Sequence, residues 1–233
     1  MNISKIVLGP VGTNTLIVPL NNKYSFIVDP ANFDESSHRE LQSVLDYLKT
    51  TPIAIVLTHG HFDHVSGISF LHQKFNIPIF ISKEDSIFIG PSSELFQLKL
   101  LESCYFESFL PKVSNLPQAS GFLKDGTSLK NCWEMQNIFA GSTNKELIDA
   151  VNNLADWKII ATPGHSRGSV CLYNEIEKQL ICGDTLFDGG WGRTDLYSGS
   201  ESEIIESLKN LKNKFGGKNY CLWSGHGFCG FSI

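Results

Sequence analysis

The sequence has no long hydrophobic run and no segment typical of a leader peptide. No apolar stretch approaches the roughly 20 residues that a membrane-spanning helix needs. The start, MNISKIVLGPVGTN, has one early lysine and no sustained apolar region before a small-residue cleavage site. We therefore predict a cytoplasmic protein that does not associate with membranes.

Closely spaced cysteine pairs and a surplus of basic residues are also missing. The six cysteines form no C-x-x-C pair, which predicts reduced thiols and argues against a zinc site built from cysteine. The formal net charge is −5 and the lysines are scattered along the chain. Because no basic stripe is available to neutralise phosphates, we expect no nucleic-acid partner.

What the sequence does have is a globular composition: 233 residues, of which 42% are apolar and 18% charged. The first 28 residues hold three short β-prone runs, which are typical of an antiparallel meander. A buried strand over 53–57, a helix over 65–75 and the strand PIFIS continue the chain as alternating β and α elements. We predict a single domain over 1–233.

Two segments interrupt this alternation. Residues 84–120 are rich in leucine and aromatic side chains and contain prolines at three positions. This pattern indicates an inserted lid or a surface through which the chain forms a homo-oligomer, with a local core as the alternative. Residues 131–155 form a second insertion, where Thr143 and Glu146 predict a capping box before a short helix.

Four candidate metal ligands follow the buried strand in the motif THGHFDH, namely His59, His61, Asp63 and His64. Imidazole and carboxylate are groups that zinc and iron accept. His59 and His61 leave the strand two residues apart, so their side chains point the same way. The alternative is a polar turn in which Asp63 only caps a helix. A histidine cluster at a strand end is seldom inert, and we predict a metal centre.

Three further strand ends supply candidates of the same kind. His165 follows WKIIATP, Asp184 follows QLICG and His226 follows NYCLWS after one glycine. Because such strand ends can meet at one edge of a sheet, we expect these side chains to join the THGHFDH motif.

The segment GHSRG also fits G-x-S-x-G, the turn that carries the nucleophile of many serine hydrolases. Ser166, followed by Asp184 or Asp195 and then His226, even has the chain order of that class. The class needs a helix directly after the serine, whereas SVCLYN is a β-type run. A serine hydrolase would also leave the histidines of THGHFDH without a role, so we predict that His165 is the important residue here.

The motifs T-H-G-H-F-D-H, P-G-H-S, G-D-T-L-F and S-G-H-G together resemble those of the metallo-β-lactamase superfamily. The stretch G-W-G-R-T-D-L at 190–196 is similar to the glyoxalase II, or hydroxyacylglutathione hydrolase, branch and its shorter bacterial relatives. The resemblance runs from Gly9 to Gly227. It implies the α+β class and a four-layer αββα sandwich, with two mixed β-sheets face to face and helices on both outer faces.

The resemblance also implies a dinuclear metal site. The implied ligands are His59, His61 and His165 for one metal, Asp63, His64 and His226 for the other, and Asp184 as the bridge. Two divalent metal ions are the implied cofactors, zinc first, with iron or manganese as alternatives. Asp63 and Asp184 are the predicted catalytic residues, with Asp184 orienting a metal-bridging hydroxide.

The implied activity is hydrolysis of a small-molecule acyl thioester such as S-lactoylglutathione. No general-acid candidate stands out beside the predicted ligands, and a thiolate with a pKa of about 8.5 can leave without a proton. Full-length glyoxalase II adds a C-terminal helical domain that contacts glutathione. We expect none here, because the chain ends seven residues after His226. Arg193 is the candidate substrate-binding residue, with fold support as the alternative.

Other activities of this fold stay open. A persulfide dioxygenase would use one iron on His59, His165 and Asp184. A lactonase, another hydrolase of the fold and a non-catalytic zinc-stabilised scaffold are further alternatives. Common metallo-β-lactamases place a cysteine in the second metal site. The aligned residue here is Asp184, and Cys182 is predicted to be a core strand residue, so antibiotic hydrolysis is not expected.

Overall fold

The structure is a computed structural model that describes residues 2–91, 93–134 and 141–233. The strands are β1 Ser4–Leu8, β2 Thr13–Pro19, β3 Tyr24–Val28, β4 Thr51–Val56, β5 Ile79–Ser82, β6 Gly121–Leu123, β7 Trp157–Ala161, β8 Val170–Asn174, β9 Gln179–Gly183 and β10 Cys221–Ser224. The helices are α1 Glu35–Leu48, α2 Phe62–Val65, α3 Ile68–Phe75, α4 Ser93–Cys104, α5 Leu110–Val113, α6 Leu129–Glu134, α7 Lys145–Asn153 and α8 Glu201–Phe215. A short 3-10 turn, Asp85–Phe88, lies between β5 and α4.

The strands form two mixed sheets, as the resemblance implies. The larger sheet has the order β1-β2-β3-β4-β5-β6. Its first three strands pair antiparallel, which confirms the predicted meander, and the others pair parallel. The smaller sheet has the order β10-β9-β8-β7, with β10 parallel to β9 and the other pairs antiparallel.

Apolar side chains fill the space between the sheets and under the helices. Phe26 of β3 packs edge-to-face on Trp157 of β7, with ring centroids 5.4 Å apart, in the core that joins the inner faces of the sheets. Leu41 and Leu71 fix α1 and α3 to the outer face of the larger sheet. Leu211 fixes α8 to the smaller one. The layer order helix, sheet, sheet, helix confirms the αββα sandwich.

The 84–120 segment extends the outer core of the larger sheet. Leu101, Phe109 and Val113 are buried in the same cluster as the apolar side of α1. This packing agrees with the local-core interpretation. Leu95 and Tyr105 are 58% and 90% exposed, and association through this segment stays a prediction.

The 131–155 segment contains the predicted short helix, α7, and its residues 135–140 lie outside the described ranges. The predicted Thr143 cap is wrong by one residue. Asn144 caps α7, because its side chain accepts hydrogen bonds from the backbone N–H groups of Glu146 and Leu147. Among the described residues, no helix combines enough length with enough apolar character to span a bilayer.

Candidate metal centre

Loops that follow four strands carry the predicted ligands to one place. β4 runs into the THGHFDH loop and α2, while β7, β9 and β10 each lead to one further candidate. The side chains brought together are His59, His61, Asp63, His64, His165, Asp184 and His226. All are buried except His226, which is half-buried. The predicted convergence at one edge of the sandwich is therefore present in the structure.

His59, His61 and His165 form a group that we call the three-histidine triad. Their ligand atoms all lie within 4.8 Å of one another. Burial, with the neighbouring imidazoles, holds the pKa values of His59 and His61 well below their ordinary value. The Nε2 atoms of all three are buried and have no hydrogen-bond partner among the described residues. Imidazoles whose buried Nε2 atoms converge without a hydrogen-bond partner suit a divalent cation.

Asp63, His64 and His226 form a second group, the mixed triad, whose ligand atoms also lie within 4.8 Å of one another. Asp184 lies between the two triads. Its Oδ2 is 3.4 Å from Nε2 of His165 and 3.4 Å from Nε2 of His226. Its Oδ1 is 3.5 Å from Nε2 of His64, and this oxygen has no hydrogen-bond partner among the described residues. This geometry is consistent with a dinuclear site bridged by Asp184.

The electrostatics of the mixed triad favour positive charge. Burial acts to lower the pKa of His64, but Asp63 and Asp184 raise it well above its ordinary value. Burial also opposes charge on His226, yet Asp184 and Asp63 raise its pKa to about 10. The two carboxylates thus outweigh desolvation and favour positive charge at this position, as a cation site requires.

Asp29, which sequence analysis missed, supports this centre from behind. Its Oδ2 lies 3.0 Å from Nδ1 of His64 and accepts the Thr58 hydroxyl at 2.6 Å, and its Oδ1 accepts the Thr58 N–H at 2.8 Å. Asp29, His59 and His64 also lie close enough to form a third potential ligand group. Because the Asp29 oxygens already accept these hydrogen bonds, we interpret Asp29 as a support for the ligands. Its one sequence signal is its position at the end of β3.

Comparison with known proteins agrees with this geometry. The profile of the metallo-beta-lactamase superfamily matches residues 8–215. The chain belongs to this superfamily.

Similar proteins in the superfamily include hydroxyacylglutathione hydrolases. The chain is 29% identical to hydroxyacylglutathione hydrolase GloC of Haemophilus influenzae, over 90% of this chain and 83% of that protein. It is 29% identical to the hydroxyacylglutathione hydrolase of Crocosphaera subtropica, over 85% of this chain and 58% of that protein. The crystal structure of BLEG-1 B3 metallo-beta-lactamase matches with a TM-score of 0.73 and 26% identity, over 98% of this chain and 93% of that one.

In the present structure, a cavity of about 500 Å³ opens onto the candidate metal centre. Its apolar lining consists of Val11, Phe62, Leu100, Phe106, Phe187 and Leu196. The 84–120 segment also adds Cys104 and Tyr105, so the insertion forms one side of the cavity. The cavity therefore combines an apolar wall with the polar groups of the candidate centre.

Arg193 lies in the same cavity wall and has two separate connections. Its guanidinium pairs with Asp195 through Nε to Oδ1 at 2.6 Å and Nη2 to Oδ2 at 2.7 Å, and the side chain is 51% exposed. Its backbone carbonyl accepts a hydrogen bond from Nδ1 of His165 at 2.7 Å. The backbone thus orients a candidate ligand, and the predicted contact between the guanidinium and substrate stays a prediction.

The burial and hydrogen bonds of Ser166 are typical of a residue that supports the fold. It is buried, its hydroxyl donates to Asp85 at 2.6 Å, and its Oγ lies 2.7 Å from that of Ser169. A turn and strand β8 follow it instead of a helix, which agrees with the prediction that Ser166 is not a nucleophile. Cys182 is fully buried in β9, as predicted for a core strand residue.

Proposed function

We propose that the chain is a metal-dependent thioester hydrolase with two divalent cations in its active site. The observation that carries this proposal is Asp184, which reaches both the three-histidine triad and the mixed triad. The free Nε2 atoms of the three-histidine triad fit a cation on geometric grounds. Zinc is the first candidate, and iron and manganese suit the same donor set.

Some residues of the centre would hold the cations, and Asp184 would also orient the reacting water molecule. Two bound cations would supply Lewis acidity and lower the pKa of a water molecule. Asp184 reaches both triads through Oδ2, so it would hold the cations and help to orient that water toward a carbonyl carbon. The Thr13 hydroxyl donates to Asp63 Oδ2 at 2.9 Å and holds this candidate ligand of the mixed triad in place.

A thioester suits this site because its leaving group needs no acid. Free thiols have a pKa of about 8.5, so the thiolate departs without a donated proton. The apolar cavity wall can hold the acyl group and exclude bulk water from the reacting carbonyl. Two of the similar proteins are hydroxyacylglutathione hydrolases, which makes S-lactoylglutathione the first substrate to test.

The direct test is hydrolysis of S-lactoylglutathione by the metal-loaded protein. The reaction is monitored through the loss of the thioester absorbance. We expect turnover, and we expect His61→Ala to lower kcat/KM by at least about a hundredfold, because a catalytic metal contributes several kcal/mol. Hydrolysis of acyl thioesters without glutathione is measured in a second assay. A metal-loaded protein that hydrolyses neither class would contradict the proposal, and oxygen uptake with glutathione persulfide would support the dioxygenase instead.

The role of Arg193 is tested by a pair of variants. If its guanidinium binds an anionic group of the substrate, Arg193→Ala raises KM for S-lactoylglutathione with little change in kcat, which is the signature of lost ground-state binding. Asp195→Asn is the matched variant, since it weakens the ion pair but keeps the cation. Equal effects of both substitutions would show that the pair only supports the loop.

A further inference from the structure

Side chains of the 84–120 segment hold the loop between His59 and His61. The N–H of Gly60 donates to Asp85 Oδ2 at 2.9 Å, and its carbonyl accepts from Nε2 of Gln97 at 2.9 Å. Asp85 is 1% exposed and Gln97 is fully buried. Both backbone polar groups between two candidate ligands are therefore bound by side chains of the insertion.

The same segment closes the space around that loop. A Cβ atom on Gly60 would lie 2.4 Å from the Phe88 ring, so residue 60 must be glycine while Phe88 stays in place. The Phe88 ring stands edge-on to the His61 ring, with centroids 5.9 Å apart. Gln97 also donates to the Phe88 carbonyl at 2.9 Å. The 3-10 turn and α4 thus enclose the loop without a gap for a side chain.

Asp85 also binds the loop that carries the third histidine. Its Oδ2 accepts the Ser166 hydroxyl at 2.6 Å, and its Oδ1 accepts the N–H of Gly168 at 2.8 Å. Ser166 is the residue directly after His165. One buried carboxylate therefore joins the two loops that supply the three-histidine triad, across more than 80 residues of sequence.

We propose that Asp85, assisted by Gln97, is a positioning residue that sets the spacing of the three-histidine triad and thereby its affinity for a metal ion. The mixed triad has different supports, since Thr13 binds Asp63 and Asp29 binds His64. Asp85 therefore acts on one of the two metal positions. The inference rests on the proposed dinuclear centre and is independent of the thioester substrate.

Asp85→Asn tests this role with little change of shape. A carboxylate can accept from all three donors, whereas an amide offers one oxygen and places its NH₂ against a backbone N–H or the Ser166 hydroxyl. The two loops then lose part of their shared anchor. Loss of such a supporting hydrogen bond typically costs about 10- to 100-fold in metal affinity.

The experiment measures Zn²⁺ affinity of metal-free protein by competition with a chromophoric chelator. Asp85→Asn is made in two backgrounds: His226→Ala, which leaves the three-histidine triad intact, and His61→Ala, which leaves the mixed triad intact. We expect affinity for the remaining zinc to fall about 10- to 100-fold in the first background and less than about threefold in the second.

Asp125→Asn is the matched control. Asp125 also accepts a backbone N–H, that of Ala161 in β7 at 2.8 Å, but is exposed. Thermal unfolding of the metal-free variants separates positioning from general support. Equal losses in both backgrounds, with a lower Tm of metal-free Asp85→Asn, would overturn the proposal, as would unchanged affinity in both.

If Asp85→Asn does not fold, Ser166→Ala and Gln97→Met each remove one polar side chain of the same network. Each is then expected to weaken only the zinc of the three-histidine triad, and wild-type affinity in both would overturn the proposal. A wild-type protein that binds no zinc would refute the dinuclear centre itself. Two zinc ions on the wild type and no selective loss in the variants would refute the role of Asp85 alone.

Discussion

At the scale of single residues, the protein fixes the ring orientation of four candidate histidine ligands through Nδ1. The contacts are His59 Nδ1 to Thr58 Oγ1 at 3.0 Å, His64 Nδ1 to Asp29 Oδ2 at 3.0 Å, His165 Nδ1 to the Arg193 carbonyl at 2.7 Å and His226 Nδ1 to the Gly12 carbonyl at 3.4 Å. Carbonyl and carboxylate oxygens can only accept, so Nδ1 of His64, His165 and His226 donates. In the neutral ring Nε2 then carries no proton and can bind a metal.

Asp29 controls two of these rings at once. It binds His64 directly, and it also accepts the hydroxyl hydrogen of Thr58, which leaves Thr58 Oγ1 to accept from Nδ1 of His59. We predict that Asp29→Asn lowers the affinity for both zinc ions, each by about 10- to 100-fold, because neither imidazole is then held in its binding tautomer. Competition titration of the metal-free protein measures this change.

Two further substitutions show whether the effect follows this path. Thr58→Val breaks only the connection to His59, so it is expected to weaken the zinc of the three-histidine triad alone. Asp34→Asn is the control, and we expect it to leave zinc affinity unchanged. Asp34 caps α1 through its side chain, and asparagine caps equally well. Unchanged zinc affinity in Asp29→Asn would contradict the assigned role.

At the scale of elements, the sequence predicts the clustering of the candidate ligands better than it predicts their supports. The THGHFDH motif stands out because four candidate ligands, three histidines and one aspartate, follow one buried apolar run, and the ends of β7, β9 and β10 repeat the signal. Asp29 and Asp85 have no such spacing. Asp85 binds the Gly168 N–H and the Ser166 hydroxyl, both more than 80 residues away, and only tertiary structure brings these partners together. β6, with three residues, is too short for periodicity to show it.

The contact between α8 and the His165 loop gives a prediction at this scale. Gly164 has φ +138, and a Cβ there would lie 2.3 Å from the backbone nitrogen of Ile204 in α8. The helix also binds this loop through Ser207, whose hydroxyl donates to the Pro163 carbonyl at 2.7 Å. Gly164→Ala must therefore displace either the helix or the loop. We expect it to destabilise the fold by more than about 1 kcal/mol and to lower the zinc content.

Gly189→Ala is the control for backbone strain. Gly189 also has a positive φ, +81, but nothing lies within 4 Å of a Cβ placed there. Gly189→Ala is expected to lower the free energy of unfolding by about 1 kcal/mol, because alanine must adopt the left-handed backbone. Zinc content should not change. Urea unfolding of both variants compares them, and equal losses of stability would show that the close contact with α8 is unimportant.

At the scale of the whole molecule, the candidate metal centre lies between the two sheets. The THGHFDH loop follows β4 of the larger sheet, whereas His165, Asp184 and His226 follow strands of the smaller one. Bound cations should therefore stabilise the packing of one sheet on the other. Without them, the free Nε2 atoms of the three-histidine triad are buried at an energetic cost.

Removal of metal is thus expected to lower thermal stability. A ligand at about a thousand times its Kd stabilises the folded state by about 4 kcal/mol, which corresponds to a Tm change on the order of 10 °C for a chain of this size. Differential scanning calorimetry before and after chelation measures the difference, and Zn²⁺ should restore the original Tm. An identical Tm in both states would contradict a role for metal in joining the sheets.

The dinuclear centre is tested most directly by counting metal ions per chain, by elemental mass spectrometry on protein purified without chelators or added metal. The proposed centre predicts about two equivalents, falling to about one in His226→Ala. One equivalent of iron in the wild type would contradict the two-metal hydrolase and favour the mononuclear dioxygenase. A folded and active protein with no metal would contradict the account altogether.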